Sequence, residues 1–355
     1  MMNPSKKNKR TALFIIAEAG SNWKANSPAA DWRRARSLVD AARAAGADAV
    51  KFQTFRADSV YVPNAGSSDY LSKNEFRGSI FDLFKKMAMP YQMIPKLAAY
   101  CRKRNIEFMS SFFSEEDFRQ VDPWVRRHKI ASYEITHPRF LELAARSGKP
   151  LILSTGAATY EDIDWAVAHF RRAGGKDLTL LQCTAKYPAS FQALNLRVIP
   201  EFFKRYKTAA GFSDHSSDPL VAPVAAAALG AVVIEKHFTL SRKLKGPDHA
   251  FAIEPNELKQ MVLAVRNCQR SLGDGKKRVL SEERELRAYA QRAVQVTREV
   301  AKTETLRLGH NIDILRPGRQ TKGLHPRHLK RINGARALRA LALGRGVLKR
   351  DFKKK

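Results

Sequence analysis

At 355 residues, 44% of them apolar, the chain is long enough for one large or two ordinary domains with a substantial core. No apolar run approaches the roughly 18 residues of a membrane-spanning helix. The N-terminus MMNPSKKNKR also lacks the apolar segment of a secretory signal, so a membrane partner is excluded and the cytoplasm is the expected compartment. The net charge of +30 raises polyanions as partners, but residues 276–355 alone hold 23 Lys/Arg against 7 Asp/Glu, so the excess sits in the C-terminal part.

In chain order, short apolar runs alternate eight times with helical patterns. The strand candidates are ALFIIAEAG, ADAVKFQTF, IEFMSSFF, HKIASYEI, PLILSTG, LTLLQCT, TAAGFSD and AVVIEKHF. Between them stand amphipathic stretches such as ADWRRARSLVDAARAAG and TYEDIDWAVAHFRRAGG, several closed by a glycine in the C-cap position. Runs that are apolar throughout suit a parallel sheet covered on both faces. Eight βα units in about 260 residues match an α/β (β/α)8 TIM barrel in count and size. Residues 56–90 make a second βα connection too long for a simple turn, which predicts a functional flap over the barrel mouth. The expected organisation is a basic tail at 1–11, the barrel at 12–275, a charged linker at 276–290 and a small second domain at 291–355.

Barrel chemistry gathers at the C-terminal ends of the strands. There the chain offers Glu18 on the first strand, Lys51 and Gln53 on the second, and Ser111 on the third. The fourth run carries Lys129, Ser132 and Glu134 at alternate or near-alternate positions, and the fifth ends in Ser154. Tyr187 follows the sixth strand, Ser213 and His215 close the seventh, His237 closes the eighth, and Asp248 comes shortly after. Two imidazoles at neighbouring strand ends, with Asp214, Glu235 and Lys236 nearby, have the composition of a divalent-metal and anion site. The lysines and serine hydroxyls suit a phosphate or carboxylate, and Glu18, Glu134 and Asp248 suit sugar hydroxyls or proton transfer. Lys51 and Lys129 could instead form structural ion pairs with Glu18 and Glu134. Three cysteines with no CxxC spacing argue against a cysteine-based metal or redox centre. The basic C-terminal part has no zinc-finger or RNA-recognition pattern, and few aromatics for stacking bases, so nucleic acid is not an expected partner.

In order along the chain, AEAGSN, VKFQTF, FMSSFF, KIASYEIT, LSTGAAT, CTAKYP, NLRVIP, GFSDHSSD, EKHFTL and GPDH give a specific match. By these ten motifs the chain resembles the sialic acid synthases, which condense phosphoenolpyruvate with an N-acylated amino sugar into a nine-carbon 2-keto acid. The resemblance runs from residue 17 to 251 and more faintly to the C-terminus, where RPG at 316–318 and NGARALRALALGRGVLKRDF are similar to the family's small antifreeze-like (SAF) module. It implies Mn2+ or Mg2+ on His215 and His237. It implies phosphoenolpyruvate on Lys51, Ser111, Lys129, Ser132, Ser154 and Ser213, the acceptor sugar against Glu18, Gln53, Tyr187 and Asp248, and Glu134 near the reacting atoms. Arg316 matches an arginine that reaches into the other subunit's site, which implies a homodimer.

The acceptor is expected to be N-acetylmannosamine or a relative, with a diamino-trideoxy hexose of the legionaminic or pseudaminic type as the alternative. A non-enzymatic polyanion-binding barrel and a metal-dependent aldolase are the competing readings. Where the family has His and Asn, this chain has Trp23 and Lys24, which are expected to crowd the sugar-facing side. His137 replaces an Asn, Ala185 stands where a polar residue is common, and the residues RQTK lengthen the segment after RPG.

Overall fold

The computed structural model describes residues 13–67 and 79–353. Eight parallel strands close into a barrel in the order of the sequence: β1 (Phe14–Gly20), β2 (Ala49–Thr54), β3 (Glu107–Phe112), β4 (His128–Ile130), β5 (Leu151–Ser154), β6 (Leu178–Cys183), β7 (Ala209–Asp214) and β8 (Val233–His237). The ring closes where β1 pairs β8, with Glu18 opposite His237. Helices follow the strands, and their ends obey the local chemistry. The Ser27 side chain accepts from Ala30 N at the start of helix Pro28–Ala45, and Gly46 ends it at φ +87°, a left-handed conformation that costs glycine little. Helix Tyr160–Arg172 starts with a reciprocal capping box between Thr159 and Asp162.

Strand residues alternate between two apolar environments. Outward side chains such as Ile15, Val50, Phe108, Leu153 and Ile234 pack under the helices in two large clusters. Inward, Ile16, Ala49, Met109, Ile152, Leu181 and Val233 meet one another as an apolar floor. Gly211 lies opposite Leu181, and a Cβ there would sit 2.3 Å from the Val233 carbonyl oxygen, so the position has room only for glycine.

Two expectations need correction. The fourth strand ends at Ile130, and Ser132–Glu134 forms a 3-10 turn, so Ser132 and Glu134 are presented by a turn rather than by strand alternation. Trp23 is fully buried in the apolar cluster with Phe238 and Ile253, so it fills core rather than crowding the acceptor side. Lys24 turns to Asp31 at 2.8 Å. The long second connection carries short helices at Ala57–Val60 and Ile80–Met87, and residues 68–78 of the expected flap lie outside the described residues. The Tyr61 phenol in this connection is raised by burial and by the Glu134 carboxylate, which brings the start of the loop beside the turn after β4.

Contacts divide the chain between Gly273 and Asp274. The second unit contains helix Arg284–Ala290 and two antiparallel pairs, β9 (Ala293–Val296) with β10 (Ile312–Leu315), and β11 (Arg336–Ala337) with β12 (Phe352–Lys353). Val294, Val296, Leu306, Ile312, Ile332 and Val347 belong to its own core. Among the described residues, no helix is long and apolar enough to cross a membrane.

Candidate active site at the barrel mouth

Two residues beyond the apolar floor, the same inward face of the strands turns polar. Ile16, Ala49, Met109, Ile152 and Val233 are followed at i+2 by Glu18, Lys51, Ser111, Ser154 and Glu235. Side chains alternate in a strand, so these five project inward one layer nearer the mouth, where they meet Lys129 and Ser213. All seven are buried.

The layer is a connected ionic network. Lys51 Nζ lies 2.7 Å from Glu18 Oε2 and 3.8 Å from Glu235 Oε2, and donates to Ser111 Oγ at 3.2 Å. Lys129 Nζ lies 3.8 Å from Glu235 Oε1 and donates to Ser154 Oγ at 2.7 Å and to the Ile130 carbonyl at 3.0 Å. Ser213 donates to Glu235 Oε1 at 3.2 Å, and Gln53 donates to Glu18 Oε1 at 3.0 Å. Glu235 thus stands between the two lysines. It was in view in the sequence only as a charge near the histidines; its role depends on β2, β4 and β8 facing one another. Of the two ion pairs considered as structural alternatives, Lys51–Glu18 forms, whereas Lys129 pairs with Glu235 instead of Glu134.

Burial sets the ionisation of these groups. It opposes charge on Glu235, but Lys129 and Lys51 outweigh it and hold the carboxyl below its ordinary range. Lys129 is lowered by burial against the pull of Glu235, whereas Lys51, facing both Glu18 and Glu235, is raised despite its burial. Burial pushes Glu18 up to about 7 against the opposing Lys51 ammonium. It pushes Asp248 up to about 6 and Glu134 up to about 7. Three carboxyls therefore titrate near neutrality around one mouth. Asp248 and Glu18 flank Gly20, with Asp248 Oδ2 3.4 Å from Ser21 Oγ. Glu134 Oε2 is buried without a hydrogen-bond partner among the described residues. Ser132 Oγ accepts from the Gly156 amide at 3.0 Å, which joins the turn after β4 to the end of β5.

The imidazoles sit at the next step outward. His215 follows β7, His237 ends β8, and their ring centroids are 5.4 Å apart. Behind them Lys236 Nζ bonds Asp214 Oδ2 at 2.7 Å and the Ser216 carbonyl at 2.6 Å, a buried pair that ties the two strand ends together. Tyr187 stacks on His215 at 4.1 Å and meets His237 edge-on at 5.6 Å. Burial pushes His215 down to about 4, and burial with neighbouring cations pushes His237 well below its ordinary value. Both rings are then neutral at physiological pH, the form that binds metals. His215 Nδ1 donates to the Thr184 carbonyl at 2.8 Å, which leaves Nε2 as the lone-pair nitrogen, 3.7 Å from Cys183 Sγ. His237 Nδ1 is buried without a partner among the described residues. No group of three or more His, Cys, Asp or Glu side chains arranged for a metal occurs among the described residues. The two neutral imidazoles are by their chemistry suited to be metal ligands, and among the described residues they have no third such side chain grouped with them.

His137 stacks on Phe140 at 3.6 Å instead of entering the network. Arg316 is exposed just beyond β10, on the second unit.

A closed (β/α)8 barrel with paired buried lysines, carboxyls raised by burial and two neutral imidazoles at one mouth has the architecture of a barrel enzyme with its polar groups at the C-terminal ends of the strands. The NeuB family model matches residues 38–277. The spore coat polysaccharide biosynthesis protein SpsE of Bacillus subtilis is 38% identical, over 97% of this chain and 94% of its own. Its crystal structure superposes with a TM-score of 0.64, at 37% identity over 98% of this chain and 97% of the other. The N,N'-diacetyllegionaminic acid synthase of Legionella pneumophila is 35% identical over 94% of this chain and 93% of its own. The pseudaminic acid synthase of Campylobacter jejuni strain 81-176 is 33% identical over 96% and 97%. The chain belongs to the NeuB family and is a sugar-acid synthase of that family.

Proposed function

We propose that the enzyme condenses phosphoenolpyruvate with an N-acylated amino sugar to give a nine-carbon 2-keto sugar acid and phosphate. The observation that carries this reading is the pair of buried lysines held by one shared carboxylate, Glu235, beside two neutral imidazoles. Two ammonium groups backed by Ser111 and Ser154 make a dry receptor for the phosphate and carboxylate of phosphoenolpyruvate.

In the reaction, C3 of phosphoenolpyruvate forms the new bond to the aldehyde carbon of the sugar. The cation left at C2 takes up water, and Glu134, held near neutrality, accepts that water's proton. The tetrahedral centre then expels phosphate and becomes the ketone, while Lys51 and Lys129 stabilise the charge growing on the leaving group. Glu18 and Asp248, raised to about 7 and about 6, are able to deliver a proton to the sugar oxygen. Gln53 and Tyr187 orient the acceptor. His215 and His237 would hold a divalent ion, Mn2+ or Mg2+, which when bound supplies Lewis-acid polarisation of the aldehyde.

For the acceptor, N-acetylmannosamine and the diamino-trideoxy hexoses are both candidates. Identity of 35% to a legionaminic acid synthase, against 30% to the N-acetylneuraminate-9-phosphate synthase of Mus musculus, leans toward the latter sugars. The C-terminal unit is read as the antifreeze-like module, and Arg316 as its contribution to the partner's site in a homodimer. Incubation of the purified protein with Mn2+, phosphoenolpyruvate and a panel of these sugars should release phosphate only with the correct acceptor. No release with any of them would overturn the reading.

A further inference from the structure

A cavity of about 650 Å3 is lined wholly by residues of the C-terminal unit. Three segments line it. Thr303, Thr305 and Arg307 come from the first, Gly334, Arg336 and Leu338 from the second, and Lys353 from the third. Lys302 and the buried Ala337 also line it, while Leu306 and Ala335 are buried beneath. Thr305 bridges Arg336, and Arg336 stands directly opposite Lys353 in the antiparallel β11–β12 pair. A hydroxyl, a guanidinium and an ammonium therefore stand in a row, with Lys302 and Arg307 beside them.

Like charges directly opposite in an antiparallel pair repel, and among the described residues no carboxylate neutralises them. No Asp or Glu among the described residues lines the cavity. Among the described residues, Lys302, Arg307, Arg336 and Lys353 have no carboxylate within ion-pair distance, whereas Arg298, Arg339 and Arg345 of the same unit do. The nearby carboxylates are engaged elsewhere: Glu304 binds Arg298 at 2.5 Å and Asn311 at 2.9 Å, and Asp351 binds Arg345 at 3.0 Å. Thr303 on the rim takes φ +74°, a conformation that β-branched residues rarely adopt, and its amide donates to the Ala337 carbonyl at 2.8 Å.

We propose that this cavity is a binding site for a small polyvalent oxyanion, a ligand with two or more phosphate or carboxylate groups. Arg336 and Lys353 receive one group together, the Thr305 hydroxyl donates to it, and Arg307 and Lys302 meet a second. A volume in the usual range for small-molecule sites favours a compact ligand over a polymer laid along the surface.

The test is calorimetric titration of the full-length protein with tripolyphosphate, citrate and inorganic phosphate at roughly 0.1 M salt. Wild type is compared with an Arg336→Gln/Lys353→Gln variant. Binding at the barrel mouth is common to both proteins and cancels in the comparison. We expect wild type to bind one more tripolyphosphate per chain than the variant, or to bind it at least about tenfold more tightly, and to prefer it to inorganic phosphate. The variant should unfold at the same temperature as wild type or a higher one, because the mutual repulsion is gone. Stronger binding of citrate than of tripolyphosphate would assign the site to carboxylates within the same proposal. A second variant, Thr305→Val, changes shape little and should weaken binding severalfold even if the double variant folds poorly. Equal stoichiometry and affinity in wild type and both variants would overturn the proposal. So would duplex DNA or heparin displacing tripolyphosphate with one polymer spanning several chains, because the binding feature would then be a diffuse basic surface.

Discussion

Replacing Glu235 by glutamine keeps the shape of the ionic layer and removes only the charge that Lys51 and Lys129 share. Each ammonium lies 3.8 Å from a Glu235 oxygen. At an effective dielectric of about 20, a pair of unit charges at that distance interacts by about 4 kcal/mol. Lys51 retains Glu18 at 2.7 Å, so the loss falls on Lys129, whose remaining hydrogen-bond partners among the described residues are Ser154 Oγ and the Ile130 carbonyl. A buried ammonium already held below its ordinary value will release its proton before it remains unpaired, which caps the destabilisation at about 3–5 kcal/mol. Neutral Lys129 cannot hold a phosphate, so KM for phosphoenolpyruvate should rise by more than about tenfold while the barrel stays folded. Urea unfolding followed by far-UV circular dichroism gives the stability, and phosphate release gives KM. A Glu235→Gln enzyme within about 1 kcal/mol of wild type and with an unchanged KM would refute the reasoning.

His215→Ala and His237→Ala should each abolish metal-dependent phosphate release and metal binding measured by equilibrium dialysis, with far-UV dichroism unchanged; treatment of wild type with a chelator should do the same until Mn2+ is restored. His128 is fully buried, bonded to Asp122 at 3.0 Å and packed in a tilted arrangement against Phe118, and burial pushes it down to about 4. In the unfolded chain it takes up a proton near pH 6.5, so stability is lost as pH falls from there toward 4. Its share of that loss is about 2 kcal/mol at pH 5, visible as the difference between wild type and His128→Gln in urea midpoints at pH 7 and pH 5. Gly211→Ala would drive a Cβ to 2.3 Å from the Val233 carbonyl oxygen and 2.7 Å from Leu181, and should destabilise the barrel by about 3 kcal/mol or more in the same assay. Mixing an inactive Arg316→Ala protein with an inactive Lys129→Gln protein should restore part of the activity if Arg316 serves the partner's site; no recovery in a mixture shown by sedimentation to contain hybrid dimers would remove that role.

Much of the ionic layer was legible because it is written locally. Glu18, Lys51 and Lys129 are charges inside otherwise apolar runs, and a charge in such a place needs a partner. His215 and His237 could be paired because consecutive strands of a parallel barrel are neighbours, so two strand ends close in sequence are close in space. Ser132 and Glu134 lie in the region the sequence indicates but on a turn instead of the strand, since nothing in HKIASYEI marks where pairing stops and the 3-10 turn begins. Trp23 looked like an intrusion beside the acceptor, yet it lies in the apolar layer with Phe238, more than 200 residues away in sequence.

The sequence by itself determined the barrel, the order of its strands and the family, because all three depend on repetition and on short motifs of contiguous residues. Tertiary structure alone decided which charges meet. Glu235 takes its place between Lys51 and Lys129 only when β2, β4 and β8 face one another across the interior. The row of Thr305, Arg336 and Lys353 exists only once three distant segments of the C-terminal unit lie side by side. Electrostatic energy depends on separations of a few ångströms, and the order of residues along the chain does not specify such distances between remote segments.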